Sequence, residues 1–239
     1  AQDLVFEAVE LSPGKAKRKA REALKIDPDC IEAFELLGNL EHDVQAALLF
    51  YLKGINIGKR VFGGKYLKEN KGHFWGIFET RPFMHCMGHY ADCLYTLGKK
   101  QECVDILEEM IALNSNDNQG VRDQLLLYLI ELDRPGKFKK YAQQFKEDEG
   151  AFSLFNRALF AFKTEGENTK SNKALDKALK QNKFVAARLL SARPPDGLTE
   201  MYGYGDDNEA RYYAFFAHAI WRKTPGALNW LKKYSPRGN

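Results

Sequence analysis

The chain of 239 residues carries a formal net charge of +4, with 44% apolar and 28% charged residues. It contains no run of about 18 apolar residues, which excludes a membrane-spanning helix. The near-balance of charge also lacks the clustered basic stripe of a dedicated nucleic-acid binder. Four cysteines, Cys30, Cys86, Cys93 and Cys103, are unevenly spaced in helix-like contexts. They read as buried thiols rather than a disulfide framework, so a reducing, cytoplasmic setting is expected. The opening residues show no basic-then-apolar leader, and a start at Ala1 reads as a trimmed or partial product.

In chain order, Ala16, Ala20 and Ala23 fall on one helical stripe ending at Pro28 and read as the second half of a hairpin whose first helix is missing. Phe34, Leu37 and Gly38 open the next hairpin, whose second helix carries Ala47, Tyr51 and Gly54. The clearest one follows at Met84–Leu97, stopped by Gly98, and at Gln101–Leu113. Met87, Tyr90, Ala91 and Leu94 form the spine of its first helix, and Cys103, Leu107 and Met110 that of its second. Leu113-Asn-Ser-Asn-Asp117 supplies a break and the cap of the next helix. Val121, Leu125 and Tyr128 then pair with Phe138, Ala142 and Phe145, and Phe155, Ala158, Leu159 and Phe162 with Leu175 and Ala178. A sixth unit starts at Phe184 and breaks at Pro194-Pro195, and a final helix pair lies within 206–233.

A polar break recurs at Pro28, Ser115 and Lys183. The last two lie 68 positions apart, twice the 34-residue period of tetratricopeptide arrays, and the first two lie 19 positions beyond that spacing. The expected fold is all-α: a right-handed α-α superhelix, a tetratricopeptide-like solenoid of about five helical hairpins, in one domain over 1–239. The excess falls in an insertion at 58–80, glycine-punctuated and basic, leading into Phe74, Trp75 and Phe78. A long connection of this kind is either functional or a lengthened helix with a loop whose aromatics fill the core.

The stretches Phe74–Met84, Leu113–Arg122 and Thr224–Leu231 together resemble a family of mostly bacterial tetratricopeptide proteins, similar to the eukaryotic suppressor of tumorigenicity 7 proteins. The resemblance spans roughly residues 31 to 232 and implies the helical-repeat fold without an enzymatic activity. Ser115 stands where that family usually has proline, which loosens the inter-helix turn but keeps its cap chemistry.

In such arrays the second, fifth, ninth and twelfth positions of each first helix face the concave groove. In the clearest hairpin these are His85, Gly88, Asp92 and Tyr95, with His89 beside them and Arg81 just upstream. Gln119 and Arg122 take the equivalent places in the next, with Asn118 as a further polar anchor, and Asn156 and Arg157 lie on the same side of the one after. Arginine grips a carboxylate through two parallel hydrogen bonds, so a protein or peptide partner, acidic in character, is expected. The competing reading is that Arg81, Asp92 and Arg122 form ion pairs that order neighbouring repeats. His85, His89 and Cys93 share one helical face, but the first and last are about 12 Å apart along the axis, too far for one metal ion. No metal or other cofactor is therefore expected. No nucleophile elbow, HExxH or phosphate loop occurs, and a Cys86–His89 pair on one helix lacks an oxyanion hole, so the chain reads as non-catalytic. The alternative partner is RNA, through Lys15–Arg21 and Lys137–Tyr141.

Overall fold

The computed structural model describes residues 1–198 and 201–235, and within these every regular element is helical. Among the described residues there are thirteen α-helices, two short 3-10 turns and one isolated antiparallel bridge, His73 with Asn114. None of these helices is long and apolar enough to cross a membrane. The chain divides into two compact units, Ala1–Arg122 and Asp123–Asn239.

The first unit holds α1 (Gln2–Ala8), α2 (Pro13–Ile26), α3 (Ile31–Asn39), α4 (Val44–Glu69), the 3-10 turns Phe74–Gly76 and Phe78–Thr80, α5 (Arg81–Thr96) and α6 (Lys100–Leu113). Each of these α-helices packs on the next, and α1, α3 and α5 also touch in series. The alanine stripe of α2 is closed to solvent at Ala16, Ala20 and Ala23. Its partner is α1, a helix the sequence pattern did not register; Val5 joins Ala20, Ala23, Ala33 and Leu37 in one cluster. The hairpin thought to have lost its first helix therefore has one. Seven residues make two turns, too few to display a period.

α4 is started by Asp43, whose carboxylate accepts from the Gln45 and Ala46 amides. Where α4 crosses α5 the backbones nearly touch: a Cβ on Gly54 would lie 2.7 Å from Cys86 Sγ, and one on Gly58 would run into the Phe83 ring. The helix then continues through the insertion and breaks only at Gly63, whose φ of 68° and ψ of 162° suit glycine alone. Phe74 is wholly buried, whereas Phe78 is 68% exposed, so one insertion aromatic fills the core and another does not. Buried Thr80 ties the two turns together, its hydroxyl donating to the Phe74 and Ile77 carbonyls. α5 begins three residues ahead of the expected Met84 because Pro82 suits a first helical turn. Its spine residues Met87, Ala91 and Leu94 are buried, as are Cys103, Leu107 and Met110 of α6.

From the boundary onward run α7 (Val121–Glu131), α8 (Pro135–Gln144), α9 (Ala151–Glu165), α10 (Thr169–Gln181), α11 (Val185–Leu190), α12 (Asp207–Lys223) and α13 (Ala227–Tyr234). α9 and α10 form a hairpin whose second helix opens on a capping box, Asn168 with Ser171. A helix pair does occupy the C-terminal segment, as α12 and α13, which pack on each other and on α9 and α11. Their core is aromatic: Trp230 stacks on Phe162 at 4.4 Å, and Tyr213 meets Phe152 edge-on at 5.0 Å.

Candidate functional site

On α5, residues 81, 85, 89, 92 and 95 follow the three-to-four spacing of a single helical face. Arg81 is half-buried; its Nε donates to the Trp75 carbonyl at 3.1 Å and its guanidinium lies over the Trp75 and Phe78 rings. His85 Nδ1 sits 3.1 Å from Glu35 Oε1 on α3. His89 stacks on Tyr51 of α4 with centroids 5.1 Å apart, and burial holds its pKa below the usual histidine value. Tyr95 lies beneath the Lys100 ammonium.

Asp92 is exposed yet hemmed in by protein, and loss of surrounding water raises its pKa from 3.8 to about 6. Between those values the folded chain binds more protons than the unfolded chain, so stability falls as pH rises through this window. Asp92→Asn is expected to raise the melting temperature at pH 7.5 and leave it unchanged near pH 3. Thermal scans of both proteins across pH check this; a pH-independent difference would contradict it.

The remaining predicted residues divide. Asp117, 3% exposed, accepts from the Val121 and Arg122 amides and from Arg122 Nη1 at 3.0 Å. Arg122 thus braces its own helix start, while Asn118 stays exposed beside it and Gln119 is half-buried. In the second unit Asn156 is fully buried, its carboxamide bonded to the Asp123 carbonyl and the Tyr213 hydroxyl. This corrects its expected place on a groove. Neighbouring helix positions point about 100° apart, and Asn156 falls on the inner stripe with Phe152, Phe155 and Leu159. Arg157 closes the end of α8 instead, donating to the Ala142 and Phe145 carbonyls.

Arg81 and His85 help to line a groove of about 500 Å³ between α1, α3 and the start of α5. Phe6, Val9 and Phe78 border it at 60%, 67% and 68% exposure. Glu32, Glu35 and Glu79 supply its charge. Glu35 is engaged with His85 and Glu32 with Gln2; Glu79 has no ion pair among the described residues and is exposed. Three carboxylates face one guanidinium, so the groove is net acidic rather than the cationic cradle expected for an acidic ligand. Glu32 and Glu35 were legible in principle: aligning Phe34 with Met87 puts 32 and 35 at the second and fifth positions of their hairpin, where 85 and 88 stand in the clearest one.

Other chemistry finds less. Burial pushes the Cys30 thiol to about 11 and Cys103 to about 12, and raises Cys86 further, so none of these supplies a thiolate at neutral pH. Among the described residues no three His, Cys, Asp or Glu side chains converge on a metal position. In the basic run of α2, Lys17 and Lys19 pair with Glu41 and Glu7. No protein-family model matches the chain, and no curated protein does.

Proposed function

We propose that the chain is a tetratricopeptide-like helical-repeat protein, of the suppressor of tumorigenicity 7-like kind, acting without catalysis as a protein-interaction module. The 34-residue period and the serial contact of α1, α3 and α5 support the repeat reading. The observation that carries the interaction reading is the groove at α1, α3 and α5, where three large apolar side chains stand open to water within one acidic rim. Clustered exposed apolar groups rimmed by charge mark docking surfaces. Its occupant is a short peptide segment presenting apolar residues to Phe6, Val9 and Phe78 and a lysine or arginine to Glu79 and Glu32. The rim charge thus favours a basic partner over an acidic one.

Selection of a displayed random peptide library on the purified protein tests this. Enrichment of sequences joining apolar residues to Lys or Arg is expected, with binding of the selected peptides falling at least tenfold in Phe78→Ala and in Glu79→Lys. Both positions are exposed, so neither change removes core packing. Enrichment of acidic sequences, or retention of single-stranded RNA in place of any peptide, would refute the reading.

A further inference from the structure

Arg81 also lines a second cavity, of about 460 Å³, together with His73, Trp75, Asn114, Asn116 and Asn118. Its walls come from the insertion and from the turn after α6. The two are stitched by the His73–Asn114 bridge, with the Ser115 amide donating to the Gly72 carbonyl at 3.1 Å. Asn114 is 3% exposed, and its carboxamide makes no hydrogen bond among the described residues. The other two buried asparagines behave differently. Asn156 bonds Asp123 and Tyr213, and Asn182 bonds Asp206, Glu209 and the Phe184 amide. The Asn114 carboxamide instead opens on the cavity, where its donor and acceptor are free to exchange water for a solute.

The chemistry of the wall narrows what that is. Three carboxamides each donate and accept, as hydroxyl groups do. The Trp75 indole offers an apolar surface suited to the C–H face of a ring. No carboxylate lines the cavity, which disfavours a cation. Arg81 engages Trp75 through Nε and has no ion-pair partner among the described residues, so its terminal nitrogens remain for a carboxylate. The cavity is large enough to admit a single sugar ring with room to spare. We propose that this cavity is a binding site for an acidic monosaccharide, a hexuronate whose hydroxyls meet Asn114, Asn116 and Asn118 and whose carboxylate meets Arg81.

The test titrates glucuronate, glucose and acetate into the purified protein, read by calorimetry and by tryptophan emission. Trp221 and Trp230 are closed to solvent, so a change in emission reports Trp75. Saturable binding of glucuronate is expected, with glucose weaker and acetate absent. Asn114→Ala is expected to weaken glucuronate at least tenfold without changing the unfolding transition, since its carboxamide holds nothing in place. The exposed pair Asn116→Ala and Asn118→Ala is expected to weaken it as well. Absence of saturable binding, acetate as tight as glucuronate, glucose equal to glucuronate, or an unaltered Asn114→Ala would each overturn the proposal.

Discussion

Phe74→Ala is expected to destabilise the first unit by about 3–5 kcal/mol, the range for truncating a buried phenylalanine that its surroundings cannot refill. The ring is wholly buried, with Phe62, Phe83 and Tyr66 ring centroids at 6.0, 6.1 and 6.2 Å. Phe62 also meets Phe83 edge-on at 5.8 Å, so one deletion loosens a four-ring cluster joining α4, the insertion and α5. Aromatic pair geometry adds about 0.5–1.5 kcal/mol per pair beyond area burial. Neighbours have little freedom to close the gap, because Gly58 already brings α4 against the Phe83 ring. Urea unfolding followed through Trp75 emission measures the change. The loss should carry a functional consequence, since Thr80 anchors to the Phe74 carbonyl and holds the turns that present Phe78 and Arg81. Peptide capture should therefore weaken in Phe74→Ala even under conditions where the protein stays folded. A destabilisation below about 1 kcal/mol would show that the ring is not the pin described here.

How far the sequence revealed this arrangement depended on periodicity. α5 and α6 were readable because Met87, Ala91, Leu94, Cys103, Leu107 and Met110 recur at helical spacing, and all six are buried. α1 was not, for want of length. The insertion was visible as an excess of residues but not as a conformation. Inside 3-10 turns no helical stripe separates Phe74 from Phe78, and only tertiary packing decides that one is covered and the other open. The candidate site was half legible. Arg81 and His85 follow from the face of α5, while Glu35 was overlooked because the concave-position rule was carried from the clearest hairpin to its successors and not to its predecessor. Asn156 and Arg157 show the opposite error, in which adjacency in sequence was taken for a shared face. Asn114 looked like simple punctuation between helices. What sets it apart is a carboxamide that opens on a cavity, and no local pattern encodes that.

The second unit rests on a polar feature no motif announced, and its removal should be as damaging as the loss of Phe74. Glu209 is 3% exposed, and its two carboxylate oxygens accept four hydrogen bonds. One comes from the Ala151 amide at the start of α9 at 2.9 Å. The others come from Gln181 Nε2, Asn182 Nδ2 and the Gly205 amide, at 3.1, 2.9 and 2.7 Å. A carboxylate at this position also faces the positive end of the α9 dipole. Glu209→Ala leaves the Ala151 amide and its neighbours without an acceptor, at about 1–3 kcal/mol for each buried donor left unmet. A total loss of roughly 3–5 kcal/mol is expected, read from urea unfolding through Trp221 and Trp230. Glu209→Gln should not rescue it. Either orientation of the new amide turns an NH2 group toward existing N–H donors, so a side chain of nearly equal volume still breaks the junction. Wild-type-like stability in Glu209→Gln would mean that the carboxylate only fills space, and α9, α10 and α12 would then have to be held together by their aromatic core alone.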